Sequence, residues 1–191
     1  MFQVRIHGRG GQGVVTAAEF LAVAAYLEHR HAQAFPSFGS ERMGAPVVAY
    51  CRIDDKEIRL REPILEPDAV IVQDPTLFKV VDVFQGLKPD GYLLINSARG
   101  LDELHLPAIA KQLPPGHALT VPASELALKH IGRPLPNAVL LGAFARFTGL
   151  IHIDSVADAI REGLPEKIAN ANITAARAAY DAVPAAGAIA A

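Results

Sequence analysis

The sequence predicts an α/β fold in three layers: a mostly parallel sheet with an antiparallel edge hairpin and a helical C-terminal part. Three observations lead there. Residues 2–18 read as strand, glycine turn and helix. Apolar runs within residues 68–73 (Ala-Val-Ile-Val) and 91–95 each precede a stretch with helical spacing. Beyond Gly132 three helical segments follow one another with no convincing strand between them.

Phe2, Val4 and Ile6 alternate with Gln3, Arg5 and His7, the period of a strand with two different faces. The run stops at Gly8, Gly10, Gly11 and Gly13, of which Gly8, Gly10 and Gly13 satisfy G-x-G-x-x-G. Val15, Ala18, Leu21, Ala22 and Ala25 then mark one face of a helix over residues 14–28. Residues 34–46 have no clean period, with two prolines, two glycines and the adjacent pair Glu41-Arg42. This loop carries Phe35, Phe38 and Met43, which need burial against the same domain or another subunit. Val47 to Ile53 and Lys56 to Leu60 flank Asp54-Asp55 and predict the edge hairpin.

Helical spacing is expected over residues 76–84, after Asp74-Pro75, and over 101–113, after the strand that ends in Asn96-Ser97. A short strand at 117–121 leads into a helix at 123–130. The last helices fall at 137–148, 154–163 and 165–183, with Asp154-Ser155 offered as a cap and 150–153 ambiguous between strand and turn. One domain is expected over residues 1–183, followed by a flexible tail at 184–191.

Composition narrows the function. At 191 residues the chain is long enough to bury on the order of 70% of its unfolded surface without staples. A net charge of −2, without basic run or acidic tail, indicates neither nucleic acid nor a membrane surface. Apolar runs are broken well before the length of a spanning helix, and the chain opens directly on a strand, so a cytoplasmic protein is expected. The single cysteine, Cys51, sits in a strand pattern and reads as a buried, inert thiol. Alone, it holds neither an iron-sulfur cluster nor a structural zinc.

The glycine motif points to close strand–helix packing, to an anion at the helix N-terminus, or to a dinucleotide. A dinucleotide site also needs an acidic residue about 20 positions on. The corresponding stretch, residues 29–35, has no carboxylate after Glu28. The seven histidines form no metal-spaced pair on a convincing helix, and Glu41-Arg42 has no nucleophile nearby to activate. No G-x-S-x-G elbow, P-loop or calcium loop occurs.

Several blocks together resemble the gamma subunit, or gamma domain, of the 2-oxoacid:acceptor oxidoreductases, the family of pyruvate:ferredoxin oxidoreductase. They are His7-Gly-Arg-Gly-Gly-Gln-Gly13, Phe35-Pro-Ser-Phe-Gly-Ser-Glu-Arg-Met-Gly-Ala-Pro46, Asp74-Pro-Thr-Leu77, Ile95-Asn-Ser97, Asn137-Ala-Val-Leu-Leu-Gly-Ala-Phe144 and Asn170-Ala-Asn-Ile173. This chain has Gly-Ser-Glu-Arg-Met-Gly where Gly-Pro-Glu-Arg-Arg-Gly is common, which removes a proline and trades a charge for an apolar contact.

The resemblance implies a part of an enzyme. Such complexes oxidatively decarboxylate a 2-oxoacid on thiamine diphosphate with Mg, pass electrons through 4Fe-4S iron-sulfur clusters to ferredoxin or NAD, and release an acyl-CoA. It places those cofactors on alpha, beta and delta subunits and leaves this chain a structural role beside the CoA channel. It marks Gly8, Arg9, Gly10, Gly11, Gln12 and Gly13 as the surface for a CoA phosphate or a subunit contact. Phe35, Ser37, Phe38, Glu41, Arg42 and Met43 become interface residues, with Arg9 and Arg42 the cations for a phosphate or for partner carboxylates. The alternative expectation is a freestanding nucleotide-binding oxidoreductase built on the glycine loop.

Overall fold

The computed structural model describes residues 1–37 and 43–185. Six strands form one sheet in the order β2-β3-β1-β4-β5-β6. They are β1 (Phe2–Arg9), β2 (His31–Pro36), β3 (Pro46–Asp54), β4 (Ala69–Val72), β5 (Tyr92–Asn96) and β6 (Ala118–Val121). β1, β4, β5 and β6 run parallel; β3 lies antiparallel to β1, and β2 antiparallel to β3. The alternation in β1 sorts its two faces. Val4 and Ile6 are fully buried toward the helices, while Arg5 and His7 are buried on the opposite face. β4 is apolar throughout because both its faces are covered: Ala69 and Ile71 join the helix-side core, Val70 and Val72 the other.

The helix side is built by α1 (Val14–Leu27), α3 (Ala123–Ile131), α4 (Asn137–Thr148), α5 (Ile153–Gly163) and α6 (Glu166–Ala182). α4 is buried on every side, which its run of apolar and small residues permits. Gly142 makes the tightest fit there: a Cβ at that position would lie 2.0 Å from the carbonyl oxygen of Ala176 in α6. The third layer is thin. Short 3-10 turns at Pro75–Lys79 and Leu101–Leu104 and the four-residue α2 (Ala108–Lys111), together with the segments between them, cover the other face of the sheet, with Leu77, Val83, Phe84, Leu87, Leu106 and Ala110 buried in its core.

Several expectations are corrected. The antiparallel edge exists, but the partner of β3 is β2 and not residues 56–60. Asp54 Oδ1 accepts from the N–H groups of Asp55 and Lys56, a turn that ends β3. Beyond it, the carbonyls of Leu60 and Glu62 accept from the buried Arg52 guanidinium. The loop expected over 34–46 is correspondingly shorter, since β2 extends to Pro36 and β3 begins at Pro46.

The helices expected over 76–84 and 101–113 shrink to single turns. Val80, Val81 and Val83 disfavour helix, and Asp82 accepts from the N–H of Phe84. Pro107 splits the second segment, and His105 before it takes φ 48°. Asp154 is no cap: α5 starts at Ile153, and Asp154 in its first turn pairs with Arg177 of α6 at 2.6 Å. Residues 150–152 form a turn, with Thr148 Oγ1 accepting from Leu150 N–H. Residues 186–191 of the expected tail lie outside the described residues. Among the described residues, no helix is long and apolar enough to cross a membrane.

Cys51 sits in the core of β3 with no exposure, and burial pushes its thiol up to about 12. A thiol reagent such as DTNB should therefore label the native chain only through global unfolding, and stoichiometrically in denaturant. Rapid labelling without denaturant would contradict this burial.

Candidate functional site

The site forms where β1 ends and α1 begins. Gly11 and Gly13 adopt φ of +92° and +70°, values that a side chain would strain, and Gly13 is the N-cap of α1. The space a Cβ would take at each is already filled. Met43 Sδ lies 2.5 Å from that point at Gly11, and Asn137 Nδ2 lies 2.4 Å from it at Gly13. The glycines therefore let the loop pack against the start of α4 and against the returning hairpin.

That hairpin brings together two stretches separated by some thirty residues of sequence. Gly10 N–H donates to Ala45 O at 2.9 Å, Gly44 N–H donates to Gly10 O at 3.0 Å, and Gly10 and Met43 form an isolated bridge. Met43 remains 87% exposed although its sulfur rests over Gly11. Ser37 N–H donates to Val48 O. Phe35 turns onto the sheet, with its ring 5.1 Å from Tyr50 and 5.2 Å below the Arg52 guanidinium. Phe38, Glu41 and Arg42 lie outside the described residues.

Arg9 is anchored on several sides. Its Nε donates to Asp74 Oδ2 at 3.1 Å, Nη1 to Gly44 O at 3.0 Å and Nη2 to Thr76 Oγ1 at 2.8 Å. Gln12 Oε1 accepts from Arg9 N–H at 2.7 Å, and Gln12 Nε2 donates to Asp74 Oδ2 at 3.1 Å. Burial alone would raise the Asp74 carboxyl. Bonds from the Thr76 hydroxyl and N–H and from Gln12, with the Arg9 charge, outweigh it and hold the group below its ordinary 3.8. Asp74, Thr76 and Gly44 had no site role in the sequence reading. Asp74-Pro75-Thr76 was the one local signal for the first two, an aspartate capping a tight turn.

Buried amides line the helix side of the same sheet end. Asn96 Nδ2 donates to Gln73 O and to Ser124 Oγ, each at 2.8 Å, tying β4 and β5 to α3. Gln73, only 1% exposed, has its amide beside Gly8 and without a partner among the described residues. The N-terminus of α1 lies beside them with no side-chain cap. Uncapped N–H groups and Arg9 suit an anion or a partner carboxylate. The dinucleotide reading fails on topology: the strand after α1 is the antiparallel edge β2, with β3 between it and β1.

His7 precedes this loop but faces the other side of the sheet, where its Nε2 accepts from Arg5 Nε at 3.0 Å. Burial, then the Arg5 charge, lowers the imidazole to about 3 from 6.5. Between those values the unfolded chain holds a proton that the native chain refuses, so stability falls as pH drops. This one group should contribute about 1.4 kcal/mol per pH unit. Denaturant unfolding at pH 6, 5 and 4, inside that window, checks it, and His7→Gln, which still offers Arg5 an acceptor, should flatten the slope. Among the described residues, no cluster of three His, Cys, Asp or Glu side chains is arranged to hold a metal ion.

Comparison with known proteins gives consistent matches along the chain. Residues 3–182 match the family model described as pyruvate ferredoxin/flavodoxin oxidoreductase. The chain is 48% identical over 181 residues to "Pyruvate synthase subunit PorC" of Methanothermobacter marburgensis, covering 95% of this chain and 97% of that one. It is 46% identical to "Pyruvate/ketoisovalerate oxidoreductases common subunit gamma" of Pyrococcus furiosus, covering 95% and 96%. Among solved structures it resembles the pyruvate oxidoreductase subunit PORC of Thermotoga maritima, with a TM-score of 0.78, 34% identity and coverage of 94% and 95%.

Proposed function

Because the chain belongs to the pyruvate ferredoxin/flavodoxin oxidoreductase family, we propose that it works as the gamma subunit of a 2-oxoacid oxidoreductase and contributes shape and contacts rather than a reactive group. The complex converts a 2-oxoacid and CoA to acyl-CoA and CO2, releasing two electrons to ferredoxin or NAD. Thiamine diphosphate with Mg and the 4Fe-4S clusters belong to the alpha, beta and delta subunits. Reading of the substrate side chain falls to those subunits too, which leaves pyruvate, 2-oxoglutarate, branched-chain and aryl 2-oxoacids open.

The observation that carries this reading is a match over nearly the whole chain to subunits of such complexes, in a chain with one cysteine. A cluster needs several accessible thiolates, and Cys51 is solitary and buried, so these residues do not fit one. The glycine loop and residues 43–45 packed on it supply the surface that borders the CoA channel or a neighbouring subunit. Arg9 and the N-terminus of α1, which no side chain caps, are the groups there that suit a phosphate.

An affinity tag on this chain in its native cell tests the reading. Thiamine- and iron-bearing companion chains should co-purify in fixed stoichiometry, and the preparation should be brown. A colourless chain recovered without companions under gentle conditions would overturn it.

A further inference from the structure

Four donors converge on one carboxylate at the end of β4. Asp74 Oδ2 accepts from Arg9 Nε and Gln12 Nε2, and Oδ1 accepts from Thr76 N–H at 2.9 Å and from the Thr76 hydroxyl at 2.6 Å. Those bonds use the acceptor capacity of the group. The Thr76 hydroxyl closes a ring, since it also accepts from Arg9 Nη2. The Asp74 and Arg9 side chains are only 15% and 27% exposed, so their attraction is screened less than that of a fully solvated pair. Because guanidinium is a rigid fork, fixing Nε and Nη2 also fixes where Nη1 meets Gly44. The turn after β1 carries Gly10, Gly11 and Gly13 and is costly to order, and this clamp offsets that cost within the chain.

We propose that Asp74 is the positioning residue of this site: through Arg9 and Gln12 it locks the glycine loop to the returning hairpin loop at Gly44. The two loops thus stand as one preset surface before a ligand or partner arrives. The inference rests on the reading that this surface serves the assembled complex, and it adds the residue that sets the surface's shape. Preset geometry lowers the ordering cost of binding, so the effect belongs in affinity and not in the chemical step.

The test uses the reconstituted complex carrying wild-type, Asp74→Asn, Arg9→Ala, the double variant or Met43→Glu gamma chains. Three quantities are read: KM for CoA, the Kd for the gamma chain joining the remaining subunits, and kcat at saturation. Asp74→Asn should raise KM or Kd about ten-fold with kcat unchanged, as expected for loss of a charge-assisted contact. Arg9→Ala should match it, and the double variant should be no worse than either single one. Independent, multiplying effects, or an Asp74→Asn complex with wild-type constants, overturn the proposal.

If Asp74→Asn fails to assemble, Thr76→Val carries the same cycle, with a loss of about three-fold that merges with that of Arg9→Ala. Multiplying effects there also overturn it. If Met43→Glu shifts KM or Kd while the Asp74 and Arg9 variants do not, the positioning role alone fails. If none of the variants shifts either constant, the loop-surface reading fails and the proposal falls with it.

Discussion

Gly142→Ala should destabilise the fold by about 3 kcal/mol, although alanine is the better helix former by roughly 1 kcal/mol. The added methyl would sit 2.0 Å from the carbonyl oxygen of Ala176 and 2.6 Å from its carbonyl carbon. Neither atom belongs to a side chain that can rotate away, so α6 as a whole must move off α4. That shift would open the contact on which much of the helix-side core is built. At this chain length the melting temperature should fall by roughly 10 °C. Gly100→Ala serves as the control, because its new methyl meets nothing nearer than Glu103 Oε1 at 3.9 Å, and its melting temperature should hardly change. Thermal unfolding followed by circular dichroism separates the two. Equal melting temperatures for both variants would contradict the packing described for α4 and α6.

Met43→Glu should act in the opposite way, sparing the fold and weakening assembly. The side chain is 87% exposed, so a charge there disturbs little of the monomer, and the melting temperature should move by less than about 2 °C. In the complex the same side chain is proposed to fill an apolar contact, and burying an unpaired carboxylate there is unfavourable. A loss of about 2 kcal/mol, the size of an interface hot spot, corresponds to roughly a thirty-fold weaker Kd for the remaining subunits. Titration calorimetry against those subunits, or co-elution at graded concentrations, measures it. Unchanged affinity would remove Met43 from the interface.

The contrast between these two positions shows what could be read from sequence. Both α4 and the strands β1, β4, β5 and β6 carry their own periodicity, and α4 falls on residues 137–148 as its apolar run predicts. An antiparallel edge was also legible, but not its partner. Residues 56–60 look as strand-like as β2, but the carbonyls of Leu60 and Glu62 meet the Arg52 guanidinium and β2 takes the edge of β3. Short helices failed where valines and Pro107 break up patterns that apolar spacing alone favours.

The glycine motif announced a turn between β1 and α1, although the strand runs on through Gly8 to Arg9, and a phenylalanine- and methionine-bearing loop announced a surface in need of cover. Their meeting was hidden, because nothing local encodes the bonds of Gly10 to Gly44 and Ala45. The same holds for Asp74, which reads as a turn residue until the sheet lays it beside Arg9. Sheet order also decides against a dinucleotide, since the motif alone does not reveal that α1 leads to an antiparallel edge.

The most direct measurement is reconstitution with one component left out. The proposed companion subunits, purified, with and without this chain, are assayed for 2-oxoacid- and CoA-dependent reduction of ferredoxin or a viologen dye, alongside the chain alone. The account predicts no turnover from the isolated chain and restoration of full, stable activity when it joins the others. Oxidation of a 2-oxoacid by the isolated chain, or complete activity of its companions without it, would contradict it.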